Sequence, residues 1–238
     1  MEDDAACQEL AEFTTCDISD GLLNLYDIPT GGYFPNLVQR SKSGSDKTTV
    51  GKAYTVLFAP VDDPRDTVNF IDEVPAGSVM VIALTPPLQR DVAPYVKPTV
   101  AVFGGLMATR AQHQACRGCI VFGRVRDMSE FRDLSFPVHS YGVGACASKL
   151  TVKPVAVNVD LDMLCSDSAV QTIKPNDLIA ADEHGVVSVP HALVDTSKLI
   201  RYIRKSVEVD EQVAADIIDG APAKESQKQR RAVLRDYL

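Results

Sequence analysis

The sequence predicts an α/β protein: a mixed β-sheet with helices on both flanks and a helical extension at the C-terminal end. Three observations carry this expectation. The segments 78–84 (SVMVIAL) and 119–122 (CIVF) are nearly unbroken apolar runs, as expected of strands covered on both faces. Between and before such runs lie stretches with helical spacing, such as Ile18, Leu22, Leu23 and Tyr26. From residue 192 onward the chain is rich in charge and in helix formers.

Taken in order, two short helices are expected over 6–13 and 17–26, with Asp17 placed to cap the second. Pro29-Thr30-Gly31-Gly32 breaks the pattern. Residues 41–48 (SKSGSDKT) have no apolar side chain and read as a surface loop. Strands are expected over 50–58, 78–84, 119–125, 137–142, 151–161, 169–173, 178–182 and 185–189. Helices fill 65–73 and 104–116, the latter capped by Gly118, and return over 192–218 and 222–237. No linker interrupts the chain, so residues 1–238 are expected to form one domain: an α/β core over about 1–190, then C-terminal helices over 191–238 that offer a charged face to a neighbouring subunit.

Composition narrows the function. Of 238 residues, 45% are hydrophobic and 24% charged, an ordinary balance for a globular chain. A net charge of −8 argues against nucleic-acid and anionic-membrane partners, which reward clustered Lys and Arg. The basic cluster Lys228-Gln229-Arg230-Arg231 has Glu225 and Asp236 nearby and reads as a solvated helix face. No apolar stretch approaches the roughly 20 residues that span a bilayer. The start, Met1-Glu2-Asp3-Asp4, is acidic where a secretory leader is basic, and the six cysteines read as reduced thiols. A cytoplasmic location is therefore expected.

The residues that point to chemistry run from Phe103 to Tyr141. Gly104 and Gly105 open a segment of good helix formers, Leu106-Met107-Ala108-Thr109-Arg110. A helix start presents unpaired N–H groups and positive potential, suited to a carboxylate, and Gly105 has no side chain to block the approach. The strand expected at 119–125 delivers Arg126, Asp127 and Glu130 at its carboxyl end, where α/β folds collect ligands. Arg126 suits a carboxylate or enolate, and the two acids suit a hard divalent cation that keeps several waters. An Arg126–Asp127 surface ion pair with Glu130 on the next helix is the alternative reading of the same residues.

Gly105, the twenty positions 106–125, Arg126-Asp127, two residues and Glu130 together resemble a motif of the RraA-like family. That family contains the 4-hydroxy-4-methyl-2-oxoglutarate aldolases that also decarboxylate oxaloacetate. The likeness extends through Thr15–Leu22 (TCDISDGL), Pro29–Pro35 (PTGGYFP), Ala53–Pro60 (AYTVLFAP) and Gly185–Pro190 (GVVSVP), and is nearest to eukaryotic microbial members.

The resemblance implies a swivelling β/β/α-type domain, a Mg²⁺- or Mn²⁺-dependent (class II) pyruvate-forming lyase, and trimers or paired trimers with sites near subunit contacts. It assigns the substrate carboxylate to the backbone amides of Gly104, Gly105, Leu106 and Met107, and catalytic and substrate-binding roles to Arg126. Asp127 becomes the metal ligand, and Glu130 joins the metal's water shell, supplying the carboxylate that another branch carries at the position of Gly105. The substrates implied are 4-hydroxy-4-methyl-2-oxoglutarate, 4-carboxy-4-hydroxy-2-oxoadipate and oxaloacetate, with pyruvate as product. A rival of another class also follows, a non-catalytic protein that regulates a ribonuclease by binding it.

Other signals are read as structural. Cys116-Arg117-Gly118-Cys119 lacks a second ligand pair at zinc spacing, and His113, His139, His184 and His191 form no ligand pattern. Lys149 and Lys153 show no apolar pocket of the kind a Schiff base needs, and Asp17 and Asp20 read as helix-start residues.

Overall fold

The computed structural model describes residues 2–165 and 167–238. Two helices lead, α1 (Glu2–Leu10) and α2 (Thr15–Tyr26), followed by the short strands β1 (Tyr33–Phe34) and β2 (Val38–Ser41). Then come β3 (Thr49–Pro60), β4 (Ser78–Leu84), α3 (Gly105–His113), β5 (Gly118–Val125), α4 (Met128–Asp133) and β6 (Val138–Val143). Five further strands follow: β7 (Val152–Val157), β8 (Leu161–Leu164), β9 (Val170–Ile173), β10 (Leu178–Asp182) and β11 (Gly185–Val189). The chain closes with α5 (Thr196–Ile218), α6 (Ala223–Arg230) and a 3₁₀ segment, Arg231–Tyr237.

The main sheet has nine strands in the order β1-β11-β10-β3-β4-β5-β6-β2, with β7 also paired to β3. Neighbours from β3 through β4 and β5 to β6 run parallel, and the flanking pairs run antiparallel. This is the mixed α/β architecture that the sequence predicts. The run Ser78–Leu84 is buried at all seven positions. Its alternate residues feed two cores, Met80, Ile82 and Leu84 on one face and Val79, Val81 and Ala83 on the other. Across the sheet, α1, α2 and α5 close a third cluster through Leu10, Ile18, Leu22, Leu199 and Ile203.

Several local expectations are corrected. No helix forms over 65–73. There the Asn69 side-chain oxygen accepts from the N–H groups of Ile71 and Asp72, at 3.2 and 3.3 Å, which competes with helical bonding. Phe70 anchors this segment through edge-on contact with Phe58 and a Tyr54 hydroxyl donated to its carbonyl. Asp17 is not the cap of α2; Thr14 is, and Asp17 completes a capping box by accepting from the Thr14 N–H at 2.9 Å. Gly118 does not cap α3. That helix ends at His113, Ala115 takes the left-handed turn (φ 59), and Gly118 opens β5 where a Cβ would press on Pro137 and Thr49. The span 151–161 divides into β7 and β8 around Asn158 (φ 53). The span 222–237 is α-helical only over Ala223–Arg230 and turns to 3₁₀ over Arg231–Tyr237, with Arg230 paired to Asp216 and Arg231 to Asp210, both on α5.

Candidate active site at the start of α3

Two parallel segments set the site. Residues 101–103 run beside the end of β5, with Val102 N–H donating to Arg124 and Arg126 N–H donating to the Phe103 carbonyl at 3.1 Å. Gly104 therefore opens α3 directly beside Arg126. Beneath them Phe103 and Phe131 stack at 5.9 Å, both buried, and tie the start of α3 to α4. Neither ring carries a sequence signal for this role; the pairing needs the tertiary path of both segments.

Asp127 sits between β5 and α4 in the left-handed region (φ 61, ψ 47), a conformation that Asp tolerates better than most side chains. The bend brings its carboxylate back to α3, where it accepts the Gly105 N–H at 3.1 Å and lies 3.4 Å from Arg126 Nε. The next two amides, of Leu106 and Met107, belong to the first turn, which has no intrahelical acceptors to offer. A Cβ at position 104 would stand 2.7 Å from the Asp127 carboxylate, and one at 105 would overlap the Glu130 carboxylate. Glu130 thus fills the volume that a side chain at 105 would take. Gly104, Gly105, Leu106, Met107, Arg126, Asp127 and Glu130 are gathered into one patch.

The patch is open. Side chains of Arg126 and Asp127 are 38% and 34% exposed, and Leu106 is exposed beside them. Among the described residues no group of three or more His, Cys, Asp and Glu side chains could hold a metal ion alone. Two carboxylates on one turn fit Mg²⁺ or Mn²⁺, which bind through one or two acids and complete their shells with water and substrate. They do not fit a closed protein cage such as structural zinc needs.

The residues read as structural sit apart from the patch. His139 is fully buried on β6 and held by the Asp182 carbonyl at 2.8 Å, and burial pushes its imidazole below the ordinary value. Cys116 and Cys119 are buried free thiols, both pushed up by burial. Lys153 donates to the Asp63 carbonyl at 2.8 Å, and Lys149, His113 and His184 are exposed. Asp182 gathers the Thr15 N–H and hydroxyl, at 2.8 and 2.6 Å, docking α2 on the end of β10. That role is not legible locally, because the partners are separated by 167 positions.

A family model described as RraA-like, Aldolase/RraA, matches residues 15–188. The chain belongs to the RraA-like family. Of its relatives, "Protein DlpA" of Legionella pneumophila is 25% identical over 228 residues, covering 93% of this chain and 33% of that protein. The chain thus spans about a third of the length of that relative. A Halalkalibacterium halodurans protein named "Putative 4-hydroxy-4-methyl-2-oxoglutarate aldolase" is 28% identical over 179 residues, covering 74% of this chain and 72% of that one. Among solved structures, Streptomyces coelicolor RraAS2, described as an unusual member of the RNase ES inhibitor RraA protein family, superposes with a TM-score of 0.67. It is 20% identical and covers 87% of this RraA-like chain and 94% of its own, a likeness of fold. No helix among the described residues is long and apolar enough to cross a membrane.

Proposed function

We propose that this RraA-like chain is a divalent-metal-dependent lyase that forms pyruvate from small 2-oxo acids. Its reactions would be retro-aldol cleavage of 4-hydroxy-4-methyl-2-oxoglutarate and 4-carboxy-4-hydroxy-2-oxoadipate, and decarboxylation of oxaloacetate. The observation that carries the reading is the convergence of Arg126, Asp127 and Glu130 on the opening of α3. An anion-seeking helix start, a guanidinium and two acids in one patch match the charges of a metal-chelated oxo acid. The name of the Halalkalibacterium relative is consistent with it. The reading also takes residues 1–238 as one domain, working in the cytoplasm as a homotrimer or homohexamer on small-molecule partners, without nucleic acid or membrane.

Asp127 and Glu130 would hold Mg²⁺ or Mn²⁺, Glu130 through water. When bound, that ion supplies Lewis acidity at the 2-oxo group. The amides at the start of α3 hold the substrate carboxylate, with Leu106 and Met107 as the donors not engaged by Asp127. Arg126 neutralises the oxyanion that develops as the carbon–carbon bond breaks. Retro-aldol cleavage also requires a base for the substrate's hydroxyl proton, whereas loss of carbon dioxide from oxaloacetate requires none at that step. Decarboxylation therefore depends on the smallest set of residues and is the activity to test first.

The experiment is pyruvate release from oxaloacetate by the purified chain with Mg²⁺, against an EDTA control and a metal-only background. Release that depends on both protein and metal is expected, and Arg126→Ala should lower turnover by roughly 10²–10³, the scale for one preorganised oxyanion donor. Release no faster than the metal-only background, with a ribonuclease bound and inhibited instead, would replace the lyase with the regulatory reading.

A further inference from the structure

Asp127 stands where an aspartate ordinarily caps its own helix, yet its side chain makes no capping bond to α4. The left-handed backbone turns the carboxylate to α3 instead. There a single oxygen, Oδ2, accepts the Gly105 N–H at 3.1 Å and lies 3.4 Å from Arg126 Nε. The other oxygen, Oδ1, has no hydrogen bond among the described residues. We propose that Asp127 is an internal competitor at this helix start, holding the place of a ligand carboxylate until a divalent cation draws its side chain away. The inference rests on the lyase reading and gives that site its regulation: cation and oxo acid are coupled through one side chain.

The donors are the first argument. α3 opens on Gly104, which has no side chain to cap the first turn. The Gly105 N–H, the Arg126 guanidinium and the positive end of the helix together suit one carboxylate. Asp127 fills that role from 22 positions away. A ligand carboxylate at the same donors would meet like charge at contact distance, so the two exclude each other. Leu106 and Met107 keep their amides open, and the competition therefore weakens ligand binding without abolishing it.

Space is the second argument. Oδ2 lies so close to the Gly104 backbone that an added Cβ would stand 2.7 Å from it, and the same Cβ would meet Arg126 Nε at 3.2 Å. Glu130 closes the neighbouring volume at Gly105. A second carboxylate therefore reaches the Gly105 N–H only when Asp127 leaves it. Leaving is feasible, because the Asp127 side chain is 34% exposed and held by one hydrogen bond. A hard cation prefers carboxylate oxygen and can take it without unfolding the turn. That exchange frees the Gly105 N–H and Arg126 together, and by linkage the oxo acid favours the cation equally.

The test is NMR titration of the full chain with pyruvate in EDTA, comparing the parent with Asp127→Gly and Asp127→Asn, both residue types that accept a left-handed backbone. Asp127→Gly removes charge and acceptor together and should bind pyruvate about tenfold more tightly than the parent, the scale of one charge-assisted hydrogen bond. Asp127→Asn loses the charge but keeps an oxygen for the Gly105 N–H, and should gain clearly less. In the parent, hydrogen exchange at the Gly105 amide should quicken with Mg²⁺ alone and slow again when pyruvate is added, the reverse of ordinary protection by a ligand. That signature requires no variant to fold. Equal pyruvate affinity in the parent and Asp127→Gly, equal gains in the two variants, or slower Gly105 exchange with Mg²⁺ alone would overturn the competition. Metal-dependent pyruvate release from oxaloacetate is measured separately, so the competition can fail while the lyase reading stands. Absence of pyruvate binding in all three chains, with Mg²⁺ or without it, would remove both.

Discussion

Gly105 and Glu130 compete for one volume. A Cβ at 105 would meet not only the Glu130 carboxylate but also its Cβ, at 2.8 Å, so turning the carboxylate away relieves only part of the clash. Gly105→Ala should therefore destabilise the fold by about 1–3 kcal/mol, the usual cost of overpacking. Glu130→Ala in the same chain should recover part of that loss, a non-additivity that denaturant unfolding of the four-member cycle would show. The sequence makes these residues legible as a set, through spacing and helix-start chemistry. It does not show the left-handed turn at Asp127, on which their meeting depends, because a single left-handed residue leaves no spacing pattern in a sequence. His139 offers a second test at this scale. Burial keeps the folded imidazole neutral, with its value below the ordinary 6.5. The unfolded chain takes up that proton first, so stability is full above about pH 6.5 and falls as pH drops through the folded value, by at most about 1.4 kcal/mol per pH unit. Urea midpoints at pH 7.5 and 5.5 should differ less in His139→Gln than in the parent; an equal difference would remove His139 as the cause.

At the level of elements, long patterned segments were readable and short or locally overridden ones were not. The central strands were legible because a run such as Val79–Leu84 can be satisfied only between two apolar layers. β1 and β2, with two and four residues, are too short to show a period. The helix expected over 65–73 failed because one asparagine captures the backbone donors a helix would need. α2 shows the finer limit: its apolar spacing is clear, but Thr14 and Asp17 are both good caps, and only the reciprocal hydrogen bonds assign them. Thr14→Ala should cost about 1 kcal/mol, read as a lowered urea midpoint with unchanged slope.

For the whole molecule, α6 is joined to α5 by charge, while Leu234 beyond it packs on Tyr202, Val209 and Val213 of α5. Asp216 on α5 takes Arg230 in a two-point pair and the Ser226 hydroxyl at 2.6 Å, and these bonds hold its carboxyl at about 2. A depressed acid contributes above its unfolded value and ceases to contribute as pH falls through the folded one. Docking of α6 should therefore weaken between about pH 4 and pH 2, seen as lost hydrogen-exchange protection over 223–230 while the central strands stay protected. Asp216→Asn should show the same loose segment already at pH 7.

The central claim is that Asp127 and its neighbours hold a divalent ion together with an oxo acid. The most direct measurement is a Mn²⁺ titration followed by electron paramagnetic resonance, with and without pyruvate, in the parent chain and in Asp127→Asn. The account predicts saturable Mn²⁺ binding that pyruvate tightens, with pyruvate binding tightened equally by Mn²⁺, and both effects lost in the variant. Binding in Asp127→Asn that matches the parent, with the same response to pyruvate, would contradict it.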